Sequence, residues 1–447
     1  MNNFQSIPTY IINLKKRTDR KNYILKEFED RSEFDINIVN AEEREIGAVG
    51  LWSTIVEILN SLINKEVDYI ILCEDDHKFT YEYLPQNLFK SIEVAKDKGA
   101  DILVGGPSWF ENIMQVSENL YWVEKFTGLQ FTVIFKKFFK SIAIAEFLEN
   151  EAADKKISQL SCNKMLIYPF ISTQKDFGYS DATKKNEVPG RIDHLFSNSL
   201  EKIRLINKVI HHYKLNPVKV DDLSFEIYDQ TKIPTYVINL ETRVDCLEYI
   251  KREFEGKIEF EITIVPISQQ EIGPVGLWHI IRKIIMLAVD NDDDVIIICK
   301  DDHQFTESYS KVRLMRNIIE AHYQGADILS GGIGHFSQII PLTEERFWMD
   351  SFSHTQFIVL YKKCFNKILS EKFDDGFSVD DFLSEIISNK MIIYPFISVP
   401  RGFGSSDTCQ QGDQEKHDIF ERCSNRINTM MEIRAKYMSY TNKISSL

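Results

Sequence analysis

The feature that most constrains this chain is its register with itself. "IPTYIINL" at Ile7 to Leu14 returns as "IPTYVINL" at Ile233 to Leu240, an offset of 226 residues. The same offset carries "EIGAVGLW" (Glu45 to Trp52) onto "EIGPVGLW" (Glu271 to Trp278), and "GADIL" at Gly99 onto "GADIL" at Gly325. It also carries "LIYPFIS" (Leu166 to Ser172) onto "IIYPFIS" (Ile392 to Ser398), and "FGYSD" at Phe177 onto "FGSSD" at Phe403. No net insertion separates these landmarks over about 175 residues, so the repeated unit is a whole domain rather than a short motif. The chain is therefore read as a domain at 1–214, a linker at 215–231 around Pro217, and a second domain at 232–447.

Inside each unit, short β-branched runs alternate with amphipathic stretches. "TYIINL" reads as a strand, "RKNYILKEFE" as a helix, "DINIVNA" as a strand and "GLWSTIVEILNSLIN" as a helix. Then follow the apolar run "DYIILC", a helix near Leu84 to Lys98, the strand "DILVGG", and the strand "QFTVIFKK" leading into a helix. The alternation predicts an α/β fold, each unit a mostly parallel sheet with helices on both faces, whose ligands bind beyond the carboxyl ends of the strands.

The oily run "YIILC" ends on Glu74, Asp75 and Asp76, followed by His77. Side-chain alternation places Glu74 and Asp76 on one side and Asp75 on the other. Two carboxylates sharing a side can hold Mg2+ or Mn2+, which keeps waters and takes one or two protein carboxylates plus phosphates; the alternative is a solvated acidic turn. The second copy reads "CKDDH", with Lys300 where the first has Glu74, then Asp301 and Asp302. An ammonium there is expected to pair with Asp301 and Asp302, leaving a site that is dead or that takes a diphosphate without metal.

The other recurring residues carry two readings each. Asn13 and Asn239 end the first strand of each copy, followed by Arg17 and Arg243 and by Asp19 and Asp245; the arginines suit a phosphate or a base edge, or flank an N-capping Asp. Gly105-Gly106 and Gly331-Gly332 give a ligand close access to backbone or make a turn. His77 and His303 ligate metal or fix the loop. Trp52 and Trp278 fit core packing.

Composition bounds the function. A net charge of −14 opposes docking on nucleic acid or an anionic membrane by the chain as a whole. No run of about 18 apolar residues is present to span a bilayer, and the first residues lack the pattern of a signal peptide, so a cytoplasmic location is expected. Seven cysteines without C-x-x-C spacing read as small core residues rather than disulfides or a zinc site. The acidic run Asp290 to Asp294 reads as a solvated turn.

"YIINLKKRTDR", followed some 55 residues later by a strand ending in "EDD", resembles the glycosyltransferase family 25 group, the lipooligosaccharide and procollagen-type sugar transferases of the GT-A fold. "PFIS" with "FGYSD" is similar to that family's C-terminal segment, and tandem GT-A domains occur in it. The resemblance implies Mn2+ or Mg2+ as cofactor with Asp76 as direct ligand. Glu74 and Asp75 would touch metal-bound water or ribose, and Asn13, Arg17, Arg20, Gly105 and Gly106 would lie at the donor. It also implies a nucleotide-sugar donor, UDP-linked by expectation, and a glycan, lipid-linked or peptide acceptor, with a homodimer allowed. Asp154 and its counterpart Asp380 occupy the region where the family carries an acid suited to a catalytic base; helix capping is the other reading. The second copy departs at Lys300 and at Cys246, which replaces Arg20, so the first unit is read as catalytic and the second as degenerate. A non-catalytic nucleotide- or carbohydrate-binding scaffold and a metal-dependent nucleotidyltransferase or phosphoesterase are the rival readings.

Overall fold

The computed structural model describes residues 6–180, 186, 188–216, 231–271, 273–401 and 411–444. The chain divides into two compact units, one made of 1–208 with 433–447, the other of 209–432. The sequence reading placed 209–214 in the first domain and 433–447 in the second; by compactness 209–214 fall in the second unit and 433–447 in the first. Most of the expected linker, 217–230, lies outside the described residues.

The first unit opens with β1 (Ile7–Asn13), α1 (Thr18–Glu27), β2 (Phe34–Asn40), α2 (Gly47–Leu62), β3 (Tyr69–Glu74) and β4 (His77–Phe79). It continues with α3 (Pro85–Asp97), β5 (Ile102–Val104), β6 (Trp109–Ser117), β7 (Leu120–Thr127) and β8 (Phe131–Phe135). It closes with α4 (Lys136–Ala143), α5 (Ala153–Gln159), β9 (Lys164–Ile167), β10 (Ser172–Gln174) and α6 (Arg191–Leu215). Eight strands form one sheet in the order β2-β1-β3-β8-β5-β9-β7-β6, and β10 pairs separately with β4. The fold is α/β. β1, β2 and β3 run parallel, as do β5 and β9, but β8 enters antiparallel to both β3 and β5, so the sheet is mixed.

Sequence and burial agree along these elements. Ile70 to Cys73 of β3 are fully buried, the signature of a central strand covered on both faces. In α2 the buried Ile55, Ile58, Leu59 and Leu62 recur at three- and four-residue spacing, each contributing about 1.5–3 kcal/mol of burial. The β6–β7 hairpin was not expected: five of its residues from Phe110 to Met114 are buried in succession, which hides the two-residue period of a half-exposed strand.

In the second unit the strands, counted in chain order, hydrogen-bond in the same order. Counterpart elements keep the 226-residue spacing: Tyr69–Glu74 corresponds to Val295–Lys300, and Pro85–Asp97 to Lys311–Tyr323. Among the described residues, no helix is long and apolar enough to cross a membrane.

Candidate functional site

The site begins where β1 and β3 end side by side. Ile12 pairs with Glu74 in the parallel ladder, so the residues after them, Asn13 and Asp75, emerge together at the carboxyl rim of the sheet. Asn13 Nδ2 donates to Asp75 Oδ2 at 2.8 Å and to the Arg17 carbonyl at 3.1 Å. From the first turn of α1, Arg20 Nη1 reaches Asp75 Oδ1 at 3.0 Å and Asp76 Oδ2 at 3.3 Å. Asp75 is buried with both oxygens engaged by protein. It fastens α1 to the strand end.

Glu74 and Asp76 point elsewhere. Both line a cavity of about 340 Å3, along with Arg20, Leu14, Gln174, and the loop Glu42 to Glu45 between β2 and α2. Gln174 Nε2 donates to Glu74 Oε2 at 3.2 Å and to Asp76 Oδ1 at 3.4 Å. Glu74 and Asp76 thus share one partner, as the expected alternation requires, while Asp75, which also borders the cavity, is held by Asn13 and Arg20.

The electrostatics follow from that crowding. Burial pushes the Glu74 carboxyl well above the ordinary range, and the charges of Asp76, Asp154 and Asp75 push it further against the pull of Arg20. Burial likewise raises Asp76 to about 6, with Arg20 opposing and Asp75 adding. For Arg20, burial pulls downward, but Asp76 and Asp75 outweigh it and raise its pKa. One guanidinium serves several carboxylates here, an arrangement that favours an added cation.

Glu74 and Asp76 suit Mg2+ or Mn2+. Their oxygens flank a single amide nitrogen, and these hard cations take one or two protein carboxylates, leaving room for water and phosphate. Among the described residues, the group whose three ligand atoms converge within 4.8 Å is His417, Asp418 and Glu421 instead. That group is half-buried to exposed on the last helix and belongs to the second unit.

Asp154, at the start of α5, accepts from the Gly128 N–H at 3.0 Å and the Lys155 N–H at 2.7 Å, and its charge is felt at Glu74. Asp154 is not among the residues that line the cavity; its link to the site is its charge at Glu74. Arg17 stands with its guanidinium 4.0 Å from the centre of the Tyr179 ring. Tyr179 also accepts at its carbonyl from Arg20 Nη2 at 2.9 Å and donates its hydroxyl to Asp19 at 2.7 Å. Asp181, in the "FGYSD" block, lies outside the described residues.

Two expectations are corrected. Gly105 and Gly106 do not open the backbone to a ligand. A Cβ on Gly105 would meet Phe131 at 2.8 Å, and one on Gly106 would meet the Ser172 carbonyl at 2.2 Å, so these glycines admit protein rather than donor. Lys300 does not pair with Asp301 and Asp302. Its ammonium lies 3.3 Å from Asp380 Oδ2, because a residue at the Glu74 position faces the cavity side, opposite Asp301.

His77 is neither ligand nor rim residue. It is fully buried among Phe28, Phe79 and Phe131, and its Nδ1 lies 2.8 Å from Ser172 Oγ. Burial lowers its pKa to about 3. His303 repeats this with Ser398 at 2.7 Å. Trp52 stacks on Phe147 with ring centres 4.7 Å apart, and Trp278 packs against Phe373 and Phe382, both in the core. Of the described cysteines, Cys162 is exposed and the other five are buried.

The second unit keeps the frame and changes the charges. Asp301 pairs with Arg243 at 3.3 Å, Asp302 with Lys416 at 2.9 Å, and Asp380 with Lys300 at 3.3 Å. Asn239 donates to the Leu240 carbonyl, whereas Asn13 reaches Asp75. Asp380 also accepts from Thr355 N at 3.0 Å and Thr355 Oγ1 at 2.6 Å. Burial alone would raise it, but Lys300 and Thr355 hold it below the usual carboxylate range, which makes it a poor proton acceptor. Among the described residues, Lys300 and Asp380 line a cavity of about 20 Å3 together with Ile238, Leu277, Ile281 and Leu383.

Gln174, Tyr179 and Lys416 were missed from sequence. Gln174 stands directly after "PFIST" in a repeated block, and its replacement by Pro400 in the other copy was the available signal.

No known family model matches the chain, and no curated protein matches it in sequence. Among solved structures it is similar to A197 from STIV, at 14% identity and a TM-score of 0.29, covering 40% of this chain and 87% of that one. It is also similar to an apo UDP-glucose pyrophosphorylase, at 12% identity and a TM-score of 0.26, covering 42% and 81%. HddC from Yersinia pseudotuberculosis matches at 12% identity and a TM-score of 0.25, covering 43% and 80%. At these scores the likenesses carry nothing about what the chain does.

Proposed function

We propose that the first unit is a metal-assisted glycosyltransferase of the family 25 type, moving a sugar from a nucleotide-diphosphate donor, UDP-linked by preference, to a saccharide, lipid-linked or peptide acceptor. The observation that carries this reading is the cavity at the carboxyl ends of β1 and β3. Two crowded carboxylates, Glu74 and Asp76, face it; Arg20 is the cation in contact with Asp76, while Lys16 and Arg44 on the same walls pair with Glu43 and Glu42.

Glu74 and Asp76 would hold Mn2+ or Mg2+, which when bound neutralises charge on a leaving diphosphate. Arg20, kept in place by Asp75, supplies a fixed positive charge on the same side. Asp154, beside Glu74, would accept the proton of the acceptor hydroxyl; each of its oxygens takes one backbone N–H and has a lone pair to spare. The loop Glu42 to Glu45 forms the far wall, with its backbone fixed by Thr54 Oγ1 at the Glu42 N–H, 2.9 Å, and offers acceptors to ribose hydroxyls.

The second unit is read as a non-catalytic partner, since each of its counterpart acids already has a cation from the protein. The test is a panel of UDP- and GDP-sugars with Mn2+, read as donor hydrolysis or thermal stabilisation. Wild type responds to at least one sugar nucleotide and Asp76→Asn does not; silence toward the whole panel would sink the proposal.

A further inference from the structure

Gln174 is the least expected residue at the site. It ends β10, the strand that pairs antiparallel with β4 and sets Gln174 opposite His77. The Lys175 N–H donates to the Asp76 carbonyl at 2.8 Å, so the backbone on its other side is tied to the acidic turn as well. The side chain is therefore delivered to one place, between Glu74 and Asp76, where its amide nitrogen donates to both. The –NH2 end of the amide carries two N–H donors, so it can serve both acids at once. It occupies the position a shared cation would take.

The second copy supplies an internal control. The residues that brace the acidic turn are the same in both units: His77 and His303, Ser172 and Ser398, Gln130 and Gln356. Three positions at the cavity differ: Glu74 is Lys300, Arg20 is Cys246, and Gln174 is Pro400, while Asp76 is kept as Asp302. Pro400 has no side-chain donor or acceptor. Gln174 thus changes together with Glu74 and Arg20, the acid it touches and the cation beside it, and not with the residues of the frame.

We infer that Gln174 is a ligand-side switch for the divalent cation. Without the cation, its Nε2 bridges Glu74 and Asp76 and holds them together; with the cation, the amide turns over and presents Oε1 as a third protein oxygen. This rests on the cation site proposed above and adds to it the residue that keeps that site assembled when empty. An amide does this better than a carboxylate or an ammonium, because one 180° turn exchanges a donor for an acceptor of nearly the same shape. Hard cations accept amide carbonyl oxygens as ligands alongside carboxylates.

The experiment is Mn2+ binding to the full chain without nucleotide, followed by loss of the free Mn2+ paramagnetic resonance signal, for wild type, Gln174→Ala, Gln174→Glu and Gln174→Pro. Gln174→Ala and Gln174→Pro should weaken Mn2+ binding about 10-fold or more, the scale of residues that orient metal ligands. Gln174→Glu should bind at least as tightly as wild type, yet melt at a lower temperature than wild type in chelator and regain the difference in Mn2+. Wild-type affinity in Gln174→Ala would overturn the role of Gln174 while leaving the cation site standing. A wild-type chain that takes up no Mn2+ would overturn the cation site and the switch with it.

Discussion

The two strand ends, Glu74 to Asp76 and Lys300 to Asp302, sit in one framework and hold opposite electrostatics. In the first, Asn13, Arg20 and Asp75 form a buried clamp, and the remaining acids face a cavity of about 340 Å3 with raised proton affinity. In the second, Arg243, Lys416 and Lys300 each neutralise one acid, and about 20 Å3 of space is left beside Lys300. Identical sheet order and identical buried histidines show that the frame tolerates both states. Fold stability and site chemistry are therefore separable in this chain, and the site is set by a few residues facing the cavity.

The largest expected effect tests that separation at the chemistry. Asp76→Asn should lower sugar transfer by roughly 10³-fold, the scale of losing a group that manages charge at a reacting centre. Asp302→Asn, its counterpart, should leave transfer within about twofold. Equal losses at both positions would show that both units work.

Next comes stability. Removing Arg20 leaves Asp75 and Asp76 without their buried counter-charge, so Arg20→Ala should cost about 3–5 kcal/mol, seen in denaturant unfolding. Arg243→Ala removes a cation whose side chain is 44% exposed, and solvent screening should hold that cost to about 1 kcal/mol or less. Comparable losses would mean that the two clamps are equivalent after all.

Lys300→Glu is a smaller perturbation with a sign of interest. It sets a carboxylate against Asp380 and should lower the melting temperature by a few degrees, for a cost of about 1–2 kcal/mol. Mn2+ should return only part of this, because Pro400 and Cys246 still differ from Gln174 and Arg20. Full recovery would show that one residue separates the sites.

The smallest effect should be shared. His77 and His303 both have pKa values lowered to about 3 by burial, so each is neutral in the folded chain and protonates near 6.5 once unfolded. Folded pKa values below the unfolded ones mean that stability falls as pH drops below about 6.5. Between pH 7 and 6 each histidine should cost less than about 1 kcal/mol, and His77→Gln and His303→Gln should flatten the dependence to the same extent.

How much of this was legible depended on sequence distance. The strands, the acidic strand end, and the positions of Asn13 and Arg20 near it lie within runs whose local period and order give their placement, whereas the hold of Asn13 and Arg20 on Asp75 was not read there. Asp154 was found through its place in the resemblance, and the fold sets its charge beside Glu74. Gln174 reaches the acids from about 100 residues further on, through the pairing of β10 with β4, and Tyr179 reaches Asp19 and Arg20 from about 160; no local pattern announces such contacts. Lys300 was misassigned because its neighbours in sequence are acids, whereas alternation turns it toward Asp380, 80 residues away. Gly105 and Gly106 were ambiguous for a related reason: a glycine marks a close approach without saying what approaches.

The central claim is that one unit is built to take a cation with a nucleotide diphosphate and the other supplies its own positive charges. Calorimetric titration of the full chain with UDP in saturating Mn2+ tests it most directly. The account predicts one site per chain, lost in Asp76→Asn and kept in Asp302→Asn. Two sites per chain, or a single site that survives Asp76→Asn, would contradict it.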